Sequence, residues 1–172
     1  DIWAGGGTVM AWIYPYSIGG GDLGRIFDKS SGWISYLQSE SGGGCELKIE
    51  TPFSGTNGGW SLTNKDITIG EWNHLAWSQL DLAEAKIYVN GVRKDVTADS
   101  TPTGIVSSDS GQILYIGNRA DGARGFHGII DEVFLYNRVL TATDANGDAD
   151  EGDTLTGGEI YKNYKHGLGR HS

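Results

Sequence analysis

The chain has 172 residues, with 22 acidic side chains against 13 Lys and Arg, and a formal charge of −9. That sign excludes nucleic acid and anionic membrane surfaces as partners, because both attract a positive field. The 28 Gly, 3 Pro, 6 Trp and 8 Tyr favour tight turns joining short aromatic strands over helices, so the expected class is all-β.

TVMAWIYP, from Thr8 to Pro15, reads as the first strand, preceded by three glycines and closed by proline. GRIFDKS and GWISYLQS repeat the pattern between Gly and Ser breakers. In CELKIET, Leu47 and Ile49 alternate with Glu46, Lys48 and Glu50, the period of a strand with one dry and one wet face. GGWSLTNKDITIGEWNHLAWSQL holds two further strands split at IGEW. In KIYVNGVRKDV, Asn90-Gly91 between alternating residues is a type I′ hairpin signal, since both positions tolerate positive φ.

QILYIGN supplies another strand and GIIDEVFLYNRVL a last long one. Strict alternation there sets Ile130, Phe134 and Tyr136 opposite to Ile129, Asp131, Val133 and Leu135. Asp131 thus falls among apolar residues. The tail GGEIYKNYKHGLGRHS reads as a short helix up to Gly167. About nine or ten strands with almost no helix predict a two-sheet antiparallel β-sandwich or jelly roll.

At this length one domain over residues 1–172 buries roughly 70% of its unfolded surface in a single core. The acidic stretch at 142–158 is its one insertion. Five of the carboxylates (Asp144, Asp148, Asp150, Glu151, Asp153) lie there, leaving −9 + 5 = −4 for the rest. Cys45 is alone and forms no internal disulfide, and no thiol or histidine spacing suggests zinc. No apolar run reaches membrane-spanning length. The start DIWAGGG lacks a signal-peptide pattern, so an export signal is expected outside this chain.

The segments TVMAWIYP, GRIFDK, GEWNHLAWSQ, KIYVNGV and LYIGNRADGARGFHGIIDEVFLYNRVLT resemble, in order and spacing, the laminin-G-like, concanavalin A-like jelly-roll domains, over about Thr8 to Thr141. YVNGV followed by G-x-IDEV-x-x-YNR-x-L is the most specific part. The resemblance implies a concanavalin A-like jelly roll with EIYKNYKHG as its closing helix. Members usually begin one strand earlier, which implies a fragment whose first strand is missing from this sequence or supplied by another chain. The GGGTV-AWI start and NYKHG end look similar to phage and bacterial surface proteins, implying an extracellular, cell-surface or virion-associated location.

Fold alone leaves function open, because this jelly roll hosts lectins, adhesion modules and glucanases. The glucanases resembled here carry E-x-D-x-x-E on one strand, with two carboxylates about 5 Å apart. No such spacing exists; in CELKIE the middle position is Lys48. The four histidines, His74, His127, His166 and His171, form no sequence-level triad. His74 reads as a strand residue facing a wet edge or hydrogen-bonded in the sheet. The chain is expected not to be an enzyme.

Calcium is the expected cofactor. The resemblance implies a structural calcium at Asp131, the alternative being a hydrogen bond to backbone or to Arg119 or Arg124. Asp144, Asn146, Asp148 and Asp150, with Asp153 beyond, have the every-second-residue spacing of a loop wrapping a hard cation. Ala149 and Leu155 stand where an EF-hand needs its Gly and Glu, so the full motif fails. A solvated acidic loop is the other reading.

Sugar binding in such sandwiches uses flat aromatic rings beside polar groups. Trp12, Trp72 and Trp77 sit in apolar strand patterns and are assigned to the core, while Trp3 fits either role. Trp33 and Trp60 border loops and are the expected exposed platforms. Asn118, Arg119, Asp121, Arg124 and His127 in GNRADGARGFHG form a polar rim, or a turn closed by its own side chains. The expected activity is calcium-dependent binding of a glycan or cell-surface protein, in adhesion. The other expectation is a structural module of a fibre or particle, self-associating or completed by a strand from another chain.

Overall fold

Residues 1–30, 32–147 and 149–171 are described by the computed structural model. In chain order the strands are β1 (Gly7–Pro15), β2 (Arg25–Asp28), β3 (Ile34–Ser41), β4 (Gly44–Thr51), β5 (Gly58–Leu62), β6 (Ile67–Thr68) and β7 (Asn73–Gln79). They continue with β8 (Lys86–Val89), β9 (Val92–Lys94), β10 (Val96–Ser100), β11 (Tyr115–Ile116), β12 (Gly128–Tyr136) and β13 (Ala142–Thr143), before the helix α1 (Gly158–His171). The surplus over the expected strand number comes from the two-residue β6, β11 and β13. A break at Asp95 adds to it by dividing β9 from β10.

Two antiparallel sheets result, one ordered β12-β1-β7-β8-β9 and the other β10-β5-β4-β3-β2-β11 with β6 beside β4. Their inner faces meet in one core. Val9, Ala11 and Ile13 of β1 and Leu75 and Trp77 of β7 come from the first sheet; Leu37, Leu47, Ile49, Trp60 and Leu62 come from the second. Burial in β4 alternates residue by residue, so that strand has one dry and one wet face. The hairpin at Asn90-Gly91 has φ of 50° and 74°, the left-handed conformations its sequence favours.

At β1, β7 and β8 the first sheet is dry on its outer face too. Met10, Ala76 and Tyr88 are covered there by Leu140, Ala149, Leu155 and Ile160, a second buried cluster. This is why β7 is buried along its whole length. The acidic insertion is therefore integrated into the domain. Leu155 N–H donates to Gly91 O at 2.7 Å, Arg93 N–H to Asp153 O at 3.0 Å and Gly152 N–H to Arg93 O at 2.9 Å. The segment thereby covers the open edge of β9.

The alternation expected in β12 is interrupted. Met10 pairs with Phe134 but Trp12 with Asp131, so β12 carries one extra residue there, and Glu132 adopts φ 46°. Such a bulge resets which side chains face inward. Ile130 and Val133 pack on the main core, whereas Asp131, cross-strand from Trp12, lies on the outer face with its side chain 57% exposed.

Candidate functional site

The outer face of the second sheet is not covered by the helix, and its charges concentrate on β2, β3 and β4. A register shift in β2 sets Arg25 opposite Tyr36. The guanidinium stacks on the phenol ring, Cζ lying 4.2 Å from its centroid. Arg25 Nε donates to Asp28 Oδ2 at 3.1 Å, and Asp28 Oδ1 accepts from Ser30 N–H at 2.9 Å. Arg25 Nη1 is buried and has no hydrogen-bond partner. A buried donor left in that state is costly, by about 1–3 kcal/mol.

Tyr36 O–H donates to Glu50 Oε1 at 3.1 Å. Burial first, then the charge of Glu50, pushes the phenol up to about 12, so it stays a donor at neutral pH. Lys48 Nζ continues the row, 3.9 Å from Glu50 and 3.4 Å from Asp99. A polar band thus crosses β2, β3 and β4.

Above Arg25 stands the loop from Gly117 to Gly128. Asn118 Oδ1 accepts from the N–H groups of Arg119 and Arg124, at 2.8 and 3.2 Å, closing the turn. Arg119 and Asp121 form a two-pronged ion pair, with Nε donating to Oδ1 at 2.9 Å and Nη2 to Oδ2. The Arg119 bond first, then the Ala123 N–H, lowers the Asp121 carboxyl to about 2. Between loop and sheet lies a cavity of about 370 Å³ lined by Arg25, Asp28, Ser30, Ile34, Arg119, Ala120 and Asp121.

Of the residues expected to bind ligand, Arg119 and Asp121 line this cavity. Asn118 shapes its loop, and Arg124 Nη1 donates to Gly21 O at 2.6 Å, tying the loop down. His127 points elsewhere, with Nδ1 2.9 Å from Ser17 Oγ and its ring against Tyr16. Trp33 and Trp60 are corrections: each is 2% exposed in the main core. Trp60 and its two preceding glycines lie within β5 and Trp33 directly precedes β3, and both rings point inward.

The residues expected to hold calcium lie in separate places. Asp131 Oδ1 accepts from Glu132 N–H at 2.8 Å and Oδ2 is 3.8 Å from His171 Nε2; neither arginine of the 117–128 loop is its partner. Asp144 Oδ1 accepts from the N–H groups of Asn146 and Gly147, both at 2.8 Å. Asp153 Oδ2 accepts from Asp150 N–H at 2.9 Å in a second turn. Asp148 lies outside the described residues. Among the described residues no three acidic, His or Cys side chains converge as a metal cluster.

His74 is neither at a wet edge nor hydrogen-bonded through Nδ1. It is 2% exposed and packs against Trp12 and Tyr164, with Nδ1 unpaired. Desolvation first, then the charge of His171, lowers its pKa to about 3. Sequence reasoning missed Arg25 and Asp28. Their signal was available: two opposite charges three residues apart inside RIFD, a run otherwise made for the core.

A family model described as the Concanavalin A-like lectin/glucanases superfamily matches residues 2–146. No curated protein matches the chain. Among solved structures, the heptameric SAP-like pentraxin from Limulus polyphemus shares 20% identity at TM-score 0.60, covering 80% of this chain and 66% of its own. Domain 4 of AbnA, a GH43 extracellular arabinanase from Geobacillus stearothermophilus in complex with arabinotriose, shares 22% identity at TM-score 0.53, covering 94% and 66%. The Ruminococcus gnavus IT-sialidase CBM40 bound to α2,3 sialyllactose shares 14% identity at TM-score 0.55, covering 79% and 77%. The present chain thus spans just under two thirds of the pentraxin and arabinanase structures. Likeness at these identities shows the fold.

Proposed function

The chain belongs to the Concanavalin A-like lectin/glucanases superfamily, and from that premise we propose a non-catalytic saccharide-binding module whose site is the cavity between Arg25 and Arg119. One observation carries this reading: a buried guanidinium with an unpaired Nη1, in a cavity that also offers carboxylate acceptors. Sugar hydroxyls both donate and accept, and so suit such a lining. The arabinotriose complex of the arabinanase domain and the sialyllactose complex of the CBM40 support it as examples on the same fold. Asp121, held at about 2 by Arg119, is ionised at neutral pH and unsuited to general-acid catalysis. Action outside a cell, at a cell surface or on a virion belongs to the same proposal.

Two further readings have their own observations. A structural calcium is suggested by the charge of the 144–153 insertion; a higher melting temperature in calcium than in chelator supports it, and superimposable melts overturn it. Assembly through β12 is suggested by Ile129, Phe134 and Leu135, 45, 36 and 40% exposed on an edge strand. A glycan array separates binding from assembly. Saturable hits lost in the Arg119→Ala, Asp121→Ala double variant support the saccharide site, whereas a blank array with self-association in sedimentation supports assembly.

A further inference from the structure

We infer that the cavity takes the uncharged terminal sugar of a glycan, held end-on through neighbouring hydroxyl groups, and selects against acidic sugars and against the flat face of an internal sugar. This rests on the saccharide reading of the site and names its ligand class.

Charge carries the first half. Each guanidinium at the cavity already has its own carboxylate: Arg25 with Asp28 on the floor, side chains 10 and 3% exposed, and Arg119 with Asp121 at the mouth, 38 and 52% exposed. The cavity is therefore neutral as a whole. Nearby cations are engaged as well, Lys48 between Glu50 and Asp99, and Lys29 with Asp109 at 3.0 Å. A ligand carboxylate would enter beside Asp28 and Asp121, on a chain of net charge −9, and would meet their repulsion even where it reached an arginine N–H left free. A pair of neutral hydroxyls meets no such opposition. They can donate to Asp121 and accept from Arg119 without breaking that pair, and an acceptor on the same sugar suits the unpaired Arg25 Nη1.

Shape carries the second half. Among the described residues no aromatic ring lines the cavity. Tyr36 lies beneath Arg25 and is 7% exposed, Trp33 and Trp60 belong to the core, and Tyr115, cross-strand from Asp28, borders the cavity without lining it. Stacking on a pyranose face, the usual way of gripping the interior of a glycan, has no platform among the residues that line the cavity. Ile34 is the one sizeable apolar wall. A volume of about 370 Å³ sits at the small end of ligand pockets, suited to a chain end.

The test is calorimetric titration of the whole chain with methyl glycosides of neutral sugars, with sialic- and glucuronic-acid-terminated oligosaccharides, and with a neutral oligosaccharide series of rising length. Titrations run at about 50 and about 500 mM NaCl, where ionic contacts weaken. The inference predicts that neutral glycosides bind with affinities changing less than about twofold with salt, and that acidic ones bind at least about tenfold more weakly. It also predicts affinity flat beyond the first two sugar units, with Arg119→Ala and Asp121→Asn each weakening binding about tenfold at an unchanged melting temperature. Tighter, salt-sensitive binding of acidic sugars would overturn the inference and leave the saccharide reading standing, as would affinity that climbs steadily with chain length. Failure of every saccharide to bind the folded protein would overturn both.

Discussion

Gly167 of α1 lies against the indole of Trp12 so closely that a Cβ at 167 would overlap the ring nitrogen. The helix continues through this glycine to His171, although Gly is a poor helix residue by about 1 kcal/mol relative to Ala. Close packing on Trp12, which is 3% exposed, explains why glycine is kept there. Gly167→Ala should destabilise the domain by about 1–3 kcal/mol despite its better helix propensity. Chemical unfolding measures this, and a neutral or stabilising result would mean that the helix does not dock as described.

Acid should loosen the same interface. His74 faces Trp12 of its own sheet, the Asn90 side chain that accepts its N–H, and Tyr164 and His171 of α1. Asp131 lies 3.8 Å beyond His171. The folded pKa of about 3 is below the unfolded value near 6.5, so between the two the unfolded chain binds the extra proton. Stability from a neutral His74 is present above pH 6.5 and is lost as pH falls toward 3, on the order of 5 kcal/mol over the full span. Denaturant midpoints against pH should show this slope, and His74→Phe should flatten it.

The insertion should matter to stability far beyond a solvated loop. Leu155 is 1% exposed, packed with Met10, Ala76 and Ile160. Leu155→Ala should cost about 2–5 kcal/mol. A loss below about 0.5 kcal/mol, the range of surface substitutions, would contradict the docked arrangement.

Core tryptophans and cavity residues should separate cleanly. Trp33→Ala and Trp60→Ala should each cost about 3–5 kcal/mol by opening the core, and weaken saccharide binding only as far as they unfold the chain. Arg119→Ala removes an exposed side chain and should leave thermal melting nearly unchanged while lowering affinity. Circular-dichroism melts beside titrations report both quantities.

Much of the fold was legible because its signals are local. Asn90-Gly91 specifies a hairpin from two residues, and the alternation of CELKIET specifies a half-wet strand from seven. Asp131 was misplaced because the bulge at Glu132 depends on the strand partner, which period-two counting does not see. Trp33 and Trp60 were misjudged because a neighbouring Gly marks a chain bend but not the direction of the ring. At the site, the 117–128 loop showed Arg119 and Asp121 openly. Arg25 and Asp28 were hidden inside RIFD, and only the pairing of β2 with β3 turns Arg25 out onto Tyr36. The acidic stretch looked like a ligand set because its spacing is regular; in three dimensions the Asp144 and Asp153 carboxylates close two separate turns.

The most direct test of the central claim is a residue-resolved amide spectrum of the labelled protein titrated with a saccharide that binds it. Shifts should concentrate on Arg25, Asp28, Ser30, Ile34 and the 119–121 segment that together line the cavity, and vanish in the Arg119→Ala, Asp121→Ala variant. Saturable shifts confined to α1, the β12 edge or the 144–153 insertion, with the cavity residues unmoved, would contradict it.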